Sequence, residues 1–160
     1  MPEHTSDDAL IGGLALRGLG LGVAAGCRST LGLLGPVAAG VGPRRSGAVR
    51  LLAAGGVVGE LVGDKLPVTP SRVAGVGPLV RAVAGAVGAV QLGAGTTPAR
   101  RVAVAGAGAV GALAGTWGGY GWRRLVARRG FPDWPAAVAE DVLAITLAAA
   151  SLGAVPARRR

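Results

Sequence analysis

Glu60 and Asp64 lie in the string GVVGELVGDKLP (residues 56–67), and Glu140 and Asp141 lie in AVAEDVLAI. Both strings are otherwise apolar, so each carboxylate needs a reason to be there. Spaced i, i+4, Glu60 and Asp64 share one face of a helix, where two like charges repel unless a cation or a proton intervenes. Acids arranged in this way can bind or relay an ion or a proton. Two arginines, Arg28 and Arg81, also sit deep within apolar stretches. With Lys65 beside Asp64, the candidate polar site is Glu60, Asp64, Lys65, Glu140, Asp141, Arg28 and Arg81. The histidine, His4, falls in a polar amino-terminal stretch, and Cys27 is the single cysteine and reads as a small buried residue. These residues assemble no catalytic triad and no metal-ligand set, so no catalytic residue, metal or cofactor is expected. A lipid-modifying enzyme working by acid–base chemistry has no nucleophile to support it.

The elements that must position these charges are apolar blocks: residues 18–42, 51–66, 73–95, 102–122 and 134–157. Their lengths bracket the ~20 residues that cross a bilayer as a helix. The chain has 160 residues, 30 of them glycine and only five aromatic, a composition poorly suited to a jigsaw core in water. The expected fold is therefore all-α: a polytopic transmembrane helical bundle of about five spans, in a range of four to six, in the plasma membrane. Residues 1–8 read as a polar acidic tail, 9–157 as one membrane domain and 158–160 as a basic tail.

The net charge of +9 belongs to arginines clustered where blocks end: Arg44 and Arg45, Arg100 and Arg101, Arg123 and Arg124, Arg128 and Arg129, and Arg158 to Arg160. That placement suits the flanks of spans and an anionic lipid surface, and argues against nucleic acid as a partner. Trp117, Tyr120, Trp122, Phe131 and Trp134 cluster around the turn between the last two blocks, as an interfacial belt would. With five alternating spans the basic residues divide seven to eight between the two faces, which gives no orientation. If residues 9–42 form a hairpin or two short spans, six elements result, two sets of three in the manner of an inverted repeat, but the halves show no convincing sequence match.

Glycine recurs every fourth residue at Gly18, Gly22 and Gly26, at Gly55, Gly59 and Gly63, and at Gly111, Gly115 and Gly119. On helices these are smooth strips that let another helix approach closely, within one chain or between copies in a homo-oligomer. The run VAVAGAGAVG (102–111) satisfies a dinucleotide-binding glycine pattern, but the following GFPDWPAAVAE has two prolines and no strand-like stretch, so that reading is set aside.

A topological argument joins the two acid motifs. From Pro67 the blocks 73–95 and 102–122 cross out and back, so residues 123–134 return to the face of residues 65–72. Both motifs, with Arg81 about 12 Å in, should share one layer. The strings AAGCRS (24–29), GELVGDKLP (59–67) and AEDVLA (139–144) resemble, in order and spacing, a family of small bacterial membrane proteins catalogued as domain of unknown function 4126. The resemblance covers nearly the whole chain, although VTPSR after Pro67 lacks the acidic residue expected there. It implies a membrane location and an α-helical fold, and it brings no activity. The functional expectation is a small ion- or proton-coupled transporter or channel; the alternative is a non-catalytic scaffold that binds partner helices or lipid.

Overall fold

The computed structural model describes residues 3–42, 45–63, 73 and 75–153. Asp64, Lys65, Arg44 and the terminal arginines lie outside the described residues. Among the described residues seven helices follow one another: α1 (Glu3–Cys27), α2 (Ser29–Leu33), α3 (Gly35–Ala38), α4 (Gly47–Gly63), α5 (Gly77–Leu92), α6 (Pro98–Arg128) and α7 (Asp133–Gly153). Among the described residues there is no strand. The glycine pattern at 102–111 is the interior of α6, with no strand before it. Helix α1 starts at Glu3, so residues 3–8, set apart by composition as a tail, continue the helix.

Local chemistry sets the helix ends. Thr97 accepts a hydrogen bond from the Arg100 amide at 3.4 Å and Pro98 opens α6, an N-cap followed by a residue whose missing N–H costs nothing there. At the far end Gly130 adopts φ +76°, which lets its amide reach Ala127 O and the Phe131 amide reach Val126 O. Gly40, at φ +74°, closes α3 in the same way, with its amide on Val37 O and that of Val41 on Pro36 O. Both are left-handed caps that favour glycine.

The first apolar block departs from the expected single span. Arg28 is extended, at φ −142° and ψ 107°, and ends α1 in mid-block. Beyond it the chain doubles back. The Cβ position of Gly32 lies 2.7 Å from the Ala25 side chain and 2.7 Å from Ala84 O, and that of Gly35 lies 3.8 Å from Leu152, near the end of α7. Helix α7 itself runs antiparallel to α1, with Gly20 against Ser151 and Arg28 on Asp141. The limb α2–α3 therefore returns towards the end from which α1 came. Helix α4 then runs beside that limb in the opposite sense, with Arg50 at Ala38, Gly56 at Leu34 and Glu60 at Thr30. The break makes six alternating elements from what composition presents as five blocks.

Three helices meet backbone to backbone. A Cβ on Gly22 would lie 2.1 Å from Gly108 O, and one on Gly26 would lie 2.2 Å from Ala112 O. From the other side, a Cβ on Gly111 would collide with Leu19 O and one on Gly115 with Val23 O, while one on Gly18 would lie 3.0 Å from Val104 O. Helices α1 and α6 thus lie parallel along the first and third glycine strips. Helix α5 joins them through Gly85 and Gly108, where a Cβ on either would collide with the other's carbonyl oxygen. The second strip differs: Gly55 and Gly59 face open space, and it is Gly56 that meets a neighbour, the Leu34 side chain. Gly63 ends α4 at the edge of the described residues.

Sizes are distributed inside out for a protein in water. The buried apolar residues are mostly small, such as Ala24, Ala25, Ala84, Ala89, Ala112, Ala144 and Ala148. Large apolar side chains point outwards, among them Leu51 and Leu52 at 75% exposure, Val102 at 72% and Leu79 at 65%. Helices α6 and α7 are long and apolar enough to cross a membrane; α5 and the Gly12–Cys27 part of α1 are shorter apolar helices. Close backbone approach carries the packing, so a methyl group is felt most where the gap is smallest. Gly22→Ala should lower stability in detergent by about 1–3 kcal/mol through overpacking. Gly59→Ala, in open space on a helix, should be neutral or stabilising by up to about 1 kcal/mol. Thermal melts of the two variants check this, and equal losses would contradict the assignment of the strips.

Candidate functional site

A helix that stops inside an apolar bundle leaves carbonyl groups at its end and amides at the start of the next helix without intrahelical partners. At the break these groups are met by charges from two other helices, and the Arg28 side chain between them by a charge from a third. On α5, the Arg81 guanidinium donates to Gly26 O at 2.8 Å and Cys27 O at 3.0 Å, the last carbonyls of α1. A cation is favoured there by the negative end of the helix dipole as well as by the hydrogen bonds. Thr116 of α6 adds its hydroxyl, 3.4 Å from Gly26 O, while also donating to Ala112 O at 2.7 Å.

On α4, the Glu60 carboxylate takes the start of α2. One oxygen accepts from the Ser29 amide at 3.0 Å and the Ser29 hydroxyl at 2.7 Å; the other accepts from the Thr30 amide at 2.8 Å and the Thr30 hydroxyl at 2.5 Å. Four donors on two oxygens satisfy a carboxylate fully without any neighbouring base. Between these two junctions, Arg28 is only 2% exposed and reaches α7. Its Nε lies 2.7 Å and its Nη2 2.5 Å from the same Asp141 oxygen.

The five residues Gly26–Thr30 thus gather Arg81, Asp141 and Glu60. The topological argument from the sequence brings the two acid motifs to one layer, and in the structure both reach this point. Their internal pairing is different, however. Glu140 and Asp141 are neighbours on α7 and turn to different partners: Asp141 to Arg28, Glu140 to α6. There the Glu140 Oε1 lies 2.7 Å from the position a Gly119 Cβ would take. Gly119 therefore makes room for a buried carboxylate, where the glycine strip suggested helix contact. The Glu60–Asp64 pair cannot be described, because Asp64 and Lys65 lie outside the described residues. Cys27 is buried, with its sulfur 4.0 Å from Gly115 O.

Ser29, Thr30 and Thr116 were not singled out by sequence reasoning, although Cys-Arg-Ser-Thr in an apolar run carries the Ser/Thr signal of a helix start. Arg17, just ahead of the first apolar block, donates through Nε and Nη2 to Ser151 O at 2.9 and 2.7 Å, near the end of α7. The aromatic residues at the α6–α7 turn are exposed, beside an ion pair between Arg123 and Asp133, and the Trp122 indole N–H donates to Ala136 O at 3.4 Å.

A broad groove of about 1410 Å³ approaches the break from the end of the bundle where α3, α5 and α7 finish. It is lined by those helices and α4, and it extends to Leu31 and Val57. Leu31 follows Thr30 directly, and Val57 lies one helical turn before Glu60. Among the described residues, no group of three or more His, Cys, Asp or Glu side chains is arranged to hold a metal ion. The chain matches no family model, no curated protein and no solved structure.

Removing one partner of a buried, hydrogen-bonded charge costs about 3–5 kcal/mol, because the other partner stays buried without it. Arg28→Met and Asp141→Leu should each lose about that much, whereas the double variant should lose far less than the sum. A double-mutant cycle of unfolding in detergent checks this; additive losses would mean that the pair is not coupled.

Proposed function

We propose that the protein is a multi-pass plasma-membrane protein whose broken first helix forms the site of a small ion- or proton-coupled transporter or channel. The observation that carries this reading is the convergence of charges from three helices on an interruption inside an apolar bundle: Arg81 and Glu60 meet its backbone ends and Asp141 pairs with the Arg28 side chain between them. Non-helical backbone at membrane depth is tolerated where it is buried in protein or lines a cavity, and broken helices of this kind form substrate sites in transporters. The large apolar side chains on the outside support a lipid surrounding, as do the apolar helices α6 and α7. Asp141 lies eight residues into α7, about 12 Å from its start, well inside a hydrocarbon layer of about 30 Å.

The element directions support the reading further. Helix α1 packs parallel to α6 and α2 parallel to α5, while α1 and α5 pass antiparallel. An inverted repeat of two three-element units produces these relations. In this reading Glu60 is the coupling group. As a carboxylate it holds the start of α2 through acceptors alone; protonated, it becomes a donor facing donors and lets that junction loosen. The resemblance to the domain of unknown function 4126 family forms part of the same proposal, since its three strings supply Arg28 and Ser29, Glu60, and Asp141.

The scaffold reading has one observation in its favour: Arg28, Arg81 and Glu60 each have a structural task at the break, which a static network would also need. Flux separates the two. In proteoliposomes carrying a pH-sensitive or cation-sensitive dye, Glu60→Gln and Asp141→Asn should reduce flux at least about tenfold while insertion and oligomeric state stay unchanged. Wild-type flux in both variants, or none in the wild type, would favour the scaffold.

A further inference from the structure

The groove that approaches the break is lined by Leu31, Val57, Leu92, Ile145 and Leu152, with alanine and glycine between them, and among the described residues Gln91 is the one polar side chain on its wall. A hydrated ion finds almost no partner on such a wall, whereas a hydrocarbon chain does. From Leu31 to Gly40 the returning limb rises about 14 Å at 1.5 Å per residue, which gives the groove the length of a good part of an acyl chain.

Its mouth is basic. The Arg50 guanidinium carbon lies 3.1 Å from the Cβ position of Gly40, on the groove wall, and its Nε donates to Ala38 O at 3.2 Å. At the same end of the bundle, the Arg101 Cγ lies 3.7 Å from the Cβ position of Gly93, which sits between the lining residues Leu92 and Ala94. Both arginines are exposed. Segments 34–59, 73–132 and 142–153, which build the groove and its mouth, contain no Asp or Glu.

We infer that this groove binds an anionic phospholipid, with one acyl chain between α3, α4, α5 and α7 and the headgroup phosphate at Arg50 and Arg101. Charge complementarity at the mouth selects the headgroup, and the apolar wall selects the chain. A basic pocket between helices is where such headgroups bind. The inference does not rest on transport, and its test reads lipid without flux.

The full-length protein is purified in mild detergent and incubated with phosphatidylglycerol or phosphatidylcholine of identical acyl chains, and retained lipid is counted by native mass spectrometry. The wild type should keep one phosphatidylglycerol per chain with at least about tenfold preference over phosphatidylcholine. The double variant Arg50→Gln, Arg101→Gln should bring the two lipids to near parity. Ala54→Phe and Ala149→Phe, at exposed positions on the groove wall, should reduce retention of both. Equal retention of the two lipids by the wild type would overturn the inference, as would retention unchanged in all the variants. So would a dimer in which Ala54→Cys cross-links to a second copy and phosphatidylglycerol is absent, since the groove would then be a protein interface.

Discussion

A helix interrupted within an apolar bundle exposes hydrogen-bonding groups that nothing apolar can satisfy, and the rest of this structure is arranged around supplying their partners. Carbonyls at the end of α1 take a guanidinium, and amides at the start of α2 take a carboxylate. The residue between them carries a charge that is matched from α7. Each of these charges is therefore compensated by backbone or by an opposite charge, which offsets a desolvation penalty of several kcal/mol per ion. If the backbone ran straight through Arg28, these charges would lose their partners; without the charges, the break would be left bare. The two conditions stabilise one another.

That arrangement needs thin helices. Arg81 can reach the α1 carbonyls, and Thr116 can approach Gly26, because α1, α5 and α6 touch through glycine and alanine. The same small residues leave the large side chains no place inside, so Leu51, Leu52, Leu79 and Val102 cover the outside. Glycine thus serves the site twice, by setting helix spacing at Gly22 and Gly111 and by making a space for Glu140 at Gly119.

Much of this was legible in the sequence because charge stands out in an apolar run. Arg28, Arg81, Glu60 and Asp141 could be singled out by type, and counting crossings from Pro67 brought the acid motifs to one layer. The helical class and the close packing of the Gly18 and Gly111 strips follow from composition and a four-residue period. A hairpin within residues 9–42 was open from the division of basic residues, but the place where it turns was marked only by the Ser-Thr pair after Arg28. Arg28 has no proline or glycine signal beside it to stop a helix, and its extended backbone follows from tertiary partners that lie far away in sequence. For the same reason Glu140 and Asp141 read as a repelling pair until the turn of α7 sends them to different neighbours. The Gly55 strip has the period of a packing face, yet among the described residues nothing stands opposite Gly55 or Gly59, a difference that periodicity alone cannot express.

The most direct test of this account is the distance from the Glu60 side chain to the backbone of the break, measured in a lipid bilayer. Solid-state NMR recoupling between the ¹³C-labelled Glu60 carboxyl carbon and the ¹⁵N amides of Ser29 and Thr30 reads it. A carboxylate accepting from both amides places that carbon within about 4 Å of each nitrogen, so strong couplings to both are expected. Absence of both couplings, with helical chemical shifts running unbroken through Arg28, would mean that α1 continues past the break and that the charges serve some other end.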